Sequence, residues 1–499
     1  MAELAKKWVV FRALQNPLYR SGYALIANTV GTTGIGIIYW AVATHLYSRQ
    51  TVGQSSALIA ALALVSSFAQ LNLGNTLPRF IPHAGRTTGQ LIAYSYGASA
   101  LAALVGGLAF VIVLPQLSSQ WHFLSNSLPL SVAFVTASVI WGVFALQDFV
   151  LLSLRRSVIV PAENFVYGIC KLFLLAGIVW LLPKTGIFFS WIIPLGLTVP
   201  AVNWLIFRRY LKNQDIITTP STLSVREVVR FASVDYLGTV LSQAYGSLLP
   251  LLVLSTLGPA ANGIFYIAWT IASGLGLLAT NFGASLLVEG AAAPHRLAEL
   301  TRGVLIRCIG VTGLGAAIFI LAAHPILHIY GSGYAAHASS LLALLALGSI
   351  PSGIVILILS LDRVTRRVGR ASCTRLVLTV LVLGGSWVLV RRIGLDGVAF
   401  AWGGANLLVA LVRSSTIVRA IRKPSQAPSH LTRVRSAALL QPEAPVRGRH
   451  RRPSQRPGGR HSLSKADAIL PPRYEIAHES PMMLTNKDTN PRAPIRVIV

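Results

Sequence analysis

Acidic side chains are scarce: 15 Asp and Glu stand against 43 Lys and Arg in 499 residues, and only ten of the acids precede residue 424. A membrane glycosyltransferase needs a carboxylate, often with a metal, on the face where the acceptor is activated. On the face assigned below to the outside, the one acid is Asp396, close to Arg391 and Arg392, a poor setting for a base. Cysteine is scarcer still. Cys170, Cys308 and Cys373 share no loop, which excludes a disulfide framework and thiolate metal spacing and leaves packing as their expected role. His122, His324 and His328 also lack ligand spacing, so structural or interfacial roles are expected and no metal. No Walker A sequence occurs. The glycines of Gly31-Thr32-Thr33-Gly34-Ile35-Gly36 follow no strand and read as helix-packing positions, so neither ATP coupling nor a cofactor is expected. The isoelectric point of about 11.1 comes without any RNA- or DNA-binding motif. Anionic lipid, not nucleic acid, is the expected counter-charge.

Apolar residues are abundant, 54% of the chain, with 12% charged. They form twelve runs of about 20 residues, the length needed to cross a bilayer core in which every backbone polar group must be satisfied internally. The runs predict spans near 21–47, 51–71, 89–114, 128–152, 157–182, 186–207, 231–257, 261–288, 302–323, 337–361, 372–390 and 396–419. Basic residues, among them Lys6, Lys7, Arg155, Arg156, Arg208, Arg209, Arg366 and Arg367, fall in alternate gaps. The other gaps hold only Arg49, Lys184, Arg391 and Arg392. This bias places both termini in the cytoplasm of a multi-pass plasma-membrane protein. The first run is too long for a signal peptide and lacks a cleavage site, so it is expected to be retained. Trp121, Tyr330 and Tyr334 flank the outer loops as an aromatic belt would.

The expected fold is all-α, with a cytoplasmic segment at 1–20, six spans over 21–207, a cytoplasmic linker at 208–230 and six more over 231–423. At an offset of 209 residues, Asn72-Leu73-Gly74-Asn75-Thr76-Leu77 meets Asn281-Phe282-Gly283-Ala284-Ser285-Leu286, and the basic approach to span 1 (Arg20) falls beside that to span 7 (Arg230). Six spans per half make the two halves parallel repeats. Residues 424–499, with 11 prolines and 13 basic residues, cannot bury a core and are expected to be a disordered basic tail.

Charges inside the spans are the candidate functional groups. Lys171 lies about 21 Å into span 5 at 1.5 Å per residue. An ammonium there needs a wet cavity, a partner, or a route to the interface by snorkelling, and a cavity-facing Lys171 would receive an anion. Asp148 and Glu163 lie nearer the cytoplasmic ends of spans 4 and 5. Arg307 and Asp235 lie shallowly in spans 9 and 7, and Arg20, Arg79 and Arg230 collect at the cytoplasmic mouth. Arginine's planar fork suits phosphate oxygens.

Asn16-Pro17-Leu18-Tyr19-Arg20, Leu46-Tyr47-Ser48 with Val52-Gly53, and Leu71-Asn72-Leu73-Gly74-Asn75-Thr76-Leu77-Pro78-Arg79-Phe80-Ile81-Pro82 resemble oligosaccharide flippases of the O-antigen type. These polysaccharide-biosynthesis membrane proteins belong to the multidrug, oligosaccharidyl-lipid and polysaccharide exporter superfamily, which includes MATE drug exporters. The resemblance implies two six-helix lobes around a central cavity and alternating access in a bacterial inner membrane. The implied cargo is a polyprenyl-pyrophosphate-linked oligosaccharide for cell-surface polysaccharide assembly, with membrane lipids and a polysaccharide polymerase or other assembly proteins as partners. A MATE-like drug/cation antiporter is the alternative, and a membrane glycosyltransferase a weaker one. Non-enzymatic transport driven by an ion gradient or the membrane potential is therefore expected.

Overall fold

The computed structural model describes residues 17–156, 158–211, 225–234 and 236–422, with only the backbone described at 17–27, 30, 225, 230, 231, 234, 237, 239 and 242. The expected tail at 424–499 and Asp235 lie outside the described residues. Twelve long helices run through the rest. They are α1 (Pro17–Leu46), α2 (Arg49–Ala69), α3 (Thr88–Leu117), α4 (Leu128–Ser153), α5 (Ile159–Ile178) and α6 (Gly186–Leu205). The second six are α7 (Tyr236–Leu257), α8 (Pro259–Ala292), α9 (Leu297–Leu321), α10 (Ser332–Val364), α11 (Val368–Ile393) and α12 (Asp396–Arg422). Ten of them are long and apolar enough to cross a membrane, and α7 carries a shorter apolar stretch, Gln243–Leu257. Large apolar side chains such as Leu101, Trp180, Leu314 and Leu321 are exposed on their outer faces. That is the arrangement expected where lipid, not water, is the solvent. The chain is a multi-pass, all-helical membrane protein.

Local chemistry sets the helix ends. Ser48 caps α2 by accepting the Thr51 amide at 3.2 Å. Between α7 and α8 a single residue, Gly258 at φ 87°, makes the turn, and Pro259 opens the next helix. After α2 the chain adopts positive φ at Leu71 (48°) and Asn72 (59°), which breaks the helix at the expected end of span 2. Leu73–Phe80 then forms a separate short helix. The matching segment at Asn281–Leu286 stays helical inside α8, so the aligned hexapeptides differ in backbone. The repeat is nevertheless visible in the element order. Thr88 and Leu297 open α3 and α9, and Ile159 and Val368 open α5 and α11, each pair 209 residues apart.

Packing differs between the two ends of the molecule. At the end carrying Arg49, one apolar core joins both halves, with Tyr39, Trp40 and Val52 packed with Leu249, Phe265 and Tyr330. At the opposite end the cores are separate. One contains Leu77, Ile92, Leu146 and Ile206, all from α1–α6 and their connections, and the other contains Leu286, Val304, Leu361 and Ile417 from α8–α12. The two six-helix lobes are thus joined at the Arg49 end, the expected outer side.

The junction is a close crossing of α2 and α8. A Cβ at Gly53 would lie 1.7 Å from the Pro259 carbonyl oxygen, and one at Gly263 would lie 2.6 Å from the Arg49 carbonyl oxygen. Asn262 Nδ2 donates to Gly53 O at 2.8 Å, a contact between positions 209 residues apart, so repeat-related positions meet at the junction. Trp121, Tyr330 and Tyr334 were expected in an interfacial belt, but all three are buried in or beside this junction. Trp121 Nε1 donates to Ser255 Oγ at 2.9 Å, and Arg49 sits over the Tyr334 ring at 5.9 Å. Burial pushes the Tyr330 phenol up to about 12, keeping it neutral there. Large rings with one polar atom fill a lobe junction as well as they fill a headgroup layer.

Candidate functional site

The polar groups within the helices fall into three sets. In the first lobe, Lys171 of α5 is buried, 8% exposed. It neither snorkels nor meets an acid. Its Nζ lies 3.9 Å from the Trp191 ring centre, 4.9 Å from that of Tyr39 and 5.3 Å from that of Tyr167, rings drawn from α6, α1 and α5. Desolvated cation–π contacts contribute about 2 kcal/mol or more, which offsets much of the ammonium's burial. The box is itself fixed: Tyr39 bonds Ser190 Oγ at 2.7 Å, and Trp191 stacks on Trp141 at 5.4 Å. Beside it lies a cavity of about 160 Å³ lined by Thr32, Trp141, Asn164, Tyr167, Lys171 and Trp191, among others.

Two turns before Lys171 on the same helix, Glu163 is buried at 6% exposure. It interacts electrostatically with Asp148 of α4, and the buried Tyr96 of α3 faces both. Asn164 hydrogen-bonds Asp148 and also lines the Lys171 cavity. Among the described residues, neither Glu163 oxygen nor Asp148 Oδ1 has a hydrogen-bond partner. Two interacting carboxylates in such a place call for a proton or a small cation to satisfy them.

The second lobe holds a larger cavity, about 580 Å³, between α7, α8, α10, α11 and α12. Its wall includes Arg363, Arg375, Gln243, Asn406 and the edge-on pair Trp269 and Trp402, with ring centres 5.4 Å apart. Among the described residues no carboxylate lines it. Arg375 is buried and donates from Nη1 to the Gly238 carbonyl oxygen at 3.1 Å. Beside the cavity, Arg413 pairs with Asp362 at 2.7 Å and also donates to Thr374, tying α12 to α10 and α11. Asp362 is thereby engaged by Arg413.

Of the residues singled out from sequence, Lys171 lines a cavity. Arg79 is exposed, with its guanidinium 5.9 Å from the centre of the Phe80 ring, and Arg307 is exposed on α9. Neither lines any of these cavities. Arg20 and Arg230 lie on helices but their side chains are not described, and Asp235 is outside the described residues. Among the cysteines only Cys308 packs in the core, since Cys170 and Cys373 are exposed. Asp396 opens α12 and accepts from Ser340 Oγ at 3.2 Å, an N-terminal position that suits a carboxylate. Arg363, Arg375, Trp269 and Trp402 were missed. The available signal was Arg375 itself, a cation inside an expected span.

No protein-family model and no curated protein sequence matches the chain. Solved structures do. An inward-facing multidrug resistance MATE family transporter of the MOP superfamily matches with a TM-score of 0.62 and 13% identity, covering 80% of this chain and 99% of that one. The outward-facing form of such a transporter gives 0.57 at 14% identity, covering 83% and 98%. A MATE in complex with MaL6 gives 0.57 at 13% identity, covering 82% and 98%. The described helices thus have the fold of the MATE transporters, twelve helices in two six-helix lobes.

Proposed function

We propose that the chain is a MATE-like, cation-coupled antiporter that works by alternating access. The observation that supports this best is the Asp148–Glu163 pair, two carboxylates inside the helical lobe with no cationic partner among the described side chains. Ionised carboxylates at such depth are costly. Binding a proton or small cation relieves that cost and releasing it restores it, so occupancy biases how α4 and α5 pack. The lobes supply the second requirement: a junction at one end with separate cores at the other is one of the two states that alternation needs. In proteoliposomes, an imposed proton or sodium gradient should drive efflux of a tested cargo, and Asp148→Asn with Glu163→Gln should abolish it. Gradient-driven efflux by the double variant at the wild-type rate would refute the coupling role.

A second reading of the cargo has its own support. Among the described residues the second-lobe cavity is lined by Arg363 and Arg375 and by no acid, a composition closer to an anion site than to a site for cationic drugs. On this reading the cargo is a polyprenyl-pyrophosphate-linked oligosaccharide flipped for cell-surface polysaccharide assembly in the bacterial inner membrane, with both termini cytoplasmic as the basic loops suggest. Deletion separates the two. Raised drug sensitivity with undiminished surface glycan supports the antiporter of cationic drugs. Lost glycan with accumulated lipid-linked precursor supports the flippase.

A further inference from the structure

We infer that the Arg49 end of the first lobe carries a separate binding site for an acidic sugar, formed by Lys184, the starts of α2, α4 and α6, and the rings of Phe123 and Phe188. It rests on neither reading of the cargo, and it shares no residue with the carboxylate pair or the Lys171 cavity.

Three helices begin at one cavity. Ser48, Ser127 and Thr185, the residues that precede α2, α4 and α6, all line a space of about 480 Å³, within the roughly 300–1,000 Å³ that small-molecule sites occupy. A helix start carries unpaired amides and about half a positive charge. Three of them, with the exposed ammonium of Lys184 on the same wall, make the cavity electropositive. Among the described residues no acid lines it. Ser55, in the second turn of α2, adds a buried group in need of a partner. It is 1% exposed, lines the cavity and has no hydrogen-bond partner among the described residues. A desolvated hydroxyl left unpaired is costly, and a polar occupant removes that cost. Ser48 is already engaged, by the Thr51 amide at 3.2 Å and the Thr51 hydroxyl at 3.0 Å. Ser127 and Thr185 make no capping bond with their side chains, which leaves both hydroxyls for a ligand.

The rest of the wall identifies the class of ligand. Gln50 and Gln54, one turn apart on α2, add two amides. Hydroxyls and amides at this density match a ring that itself carries several hydroxyls. Phe123 and Phe188 line the same space and supply apolar surface for the C–H side of such a ring. Neighbours hold both in place: Phe123 stacks on Trp121 with ring centres 5.9 Å apart, and Phe188 on Phe134 at 6.4 Å, so little freedom is lost on binding. The positive charge then selects a sugar bearing a carboxylate. An inorganic anion would leave the rings and amides unused, and an uncharged sugar would leave the ammonium and the helix starts without a counter-charge.

The test is equilibrium dialysis of radiolabelled glucuronate against the full-length protein in phosphatidylcholine nanodiscs. Saturable binding is expected, displaced by unlabelled glucuronate but not by equal concentrations of glucose, acetate or inorganic phosphate. Ser55→Ala should weaken it severalfold to about tenfold, as loss of a buried hydrogen bond does. Lys184→Gln should weaken it severalfold and reduce its dependence on salt. Because Lys184 is exposed, that variant provides the test if Ser55→Ala fails to fold. Absence of saturable binding, or unchanged binding in both variants, would overturn the proposal. So would equal displacement by acetate or phosphate, which would make this a simple anion site, or by glucose, which would make it a site for neutral sugars. A lipid headgroup is the other source of an anionic polyol. Nanodiscs containing phosphatidylglycerol should bind glucuronate as well as nanodiscs given the same charge by phosphatidylserine. Weaker binding with phosphatidylglycerol alone would assign the cavity to that headgroup and overturn the sugar.

Discussion

Lys171 shows how a residue can be conspicuous in sequence while its environment is not. Its depth in an apolar run marks it as costly, and Tyr167 lies one helical turn before it, but the Trp191 and Tyr39 rings come from two other helices that no spacing along the chain brings to it. If those rings hold the charge, Trp191→Leu should destabilise the protein by about 2 kcal/mol or more beyond its lost packing, whereas Lys171→Met should be near neutral. In a double-mutant cycle by thermal unfolding in detergent, Trp191→Leu should cost less when made in Lys171→Met than in wild type. Strict additivity would show that the contact contributes nothing. The carboxylates were legible as residues near the same ends of spans 4 and 5: Asp148 and Glu163 are 15 positions apart in sequence, and the antiparallel packing of α4 and α5 makes them interact. Arg375 escaped notice because a cation near a helix end passes for a topological signal.

At the scale of elements the sequence was more readable. Twelve apolar runs became twelve long helices, because membrane-spanning backbone has almost no other way to satisfy its hydrogen bonds. The misreading came where tertiary packing decides: the aromatic residues Trp121, Tyr330 and Tyr334 are drawn into the lobe junction. The crossing of α2 and α8 depends on two glycines. Gly263→Leu would drive a side chain into the Arg49 carbonyl region, and overpacking of this kind costs about 1–3 kcal/mol. That strain acts only when the lobes are joined at this end, so it should shift the population about tenfold toward the opposite opening. A cysteine at the buried position Ala57, in a background without the three native cysteines, should then react faster with a membrane-impermeant maleimide. An unchanged rate would show that the crossing is not the closure. The Asp362–Arg413 pair makes a different prediction. Asp362→Ala leaves a partly buried guanidinium without its carboxylate and should cost about 3–5 kcal/mol, whereas Asp362→Leu with Arg413→Met should recover most of that loss in thermal unfolding.

For the whole molecule, the repeat and the junction together define the working device. Two parallel halves meet through repeat-related positions at one end, while each half keeps its own core at the other. Under the proposed function this arrangement tilts about the junction, and the carboxylate pair supplies a cation-sensitive bias. We assign coupling to the acids of the first lobe. That coupling is the central claim, and it can be tested without knowing the cargo. Spin labels at the exposed positions His122 and His337, one in each lobe near the junction, report the inter-lobe distance by pulsed double electron–electron resonance. The account predicts a distance distribution that shifts with pH or sodium in the wild type and no longer does so in Asp148→Asn with Glu163→Gln. A distribution insensitive to both ions in the wild type, or an undiminished shift in the double variant, would contradict it.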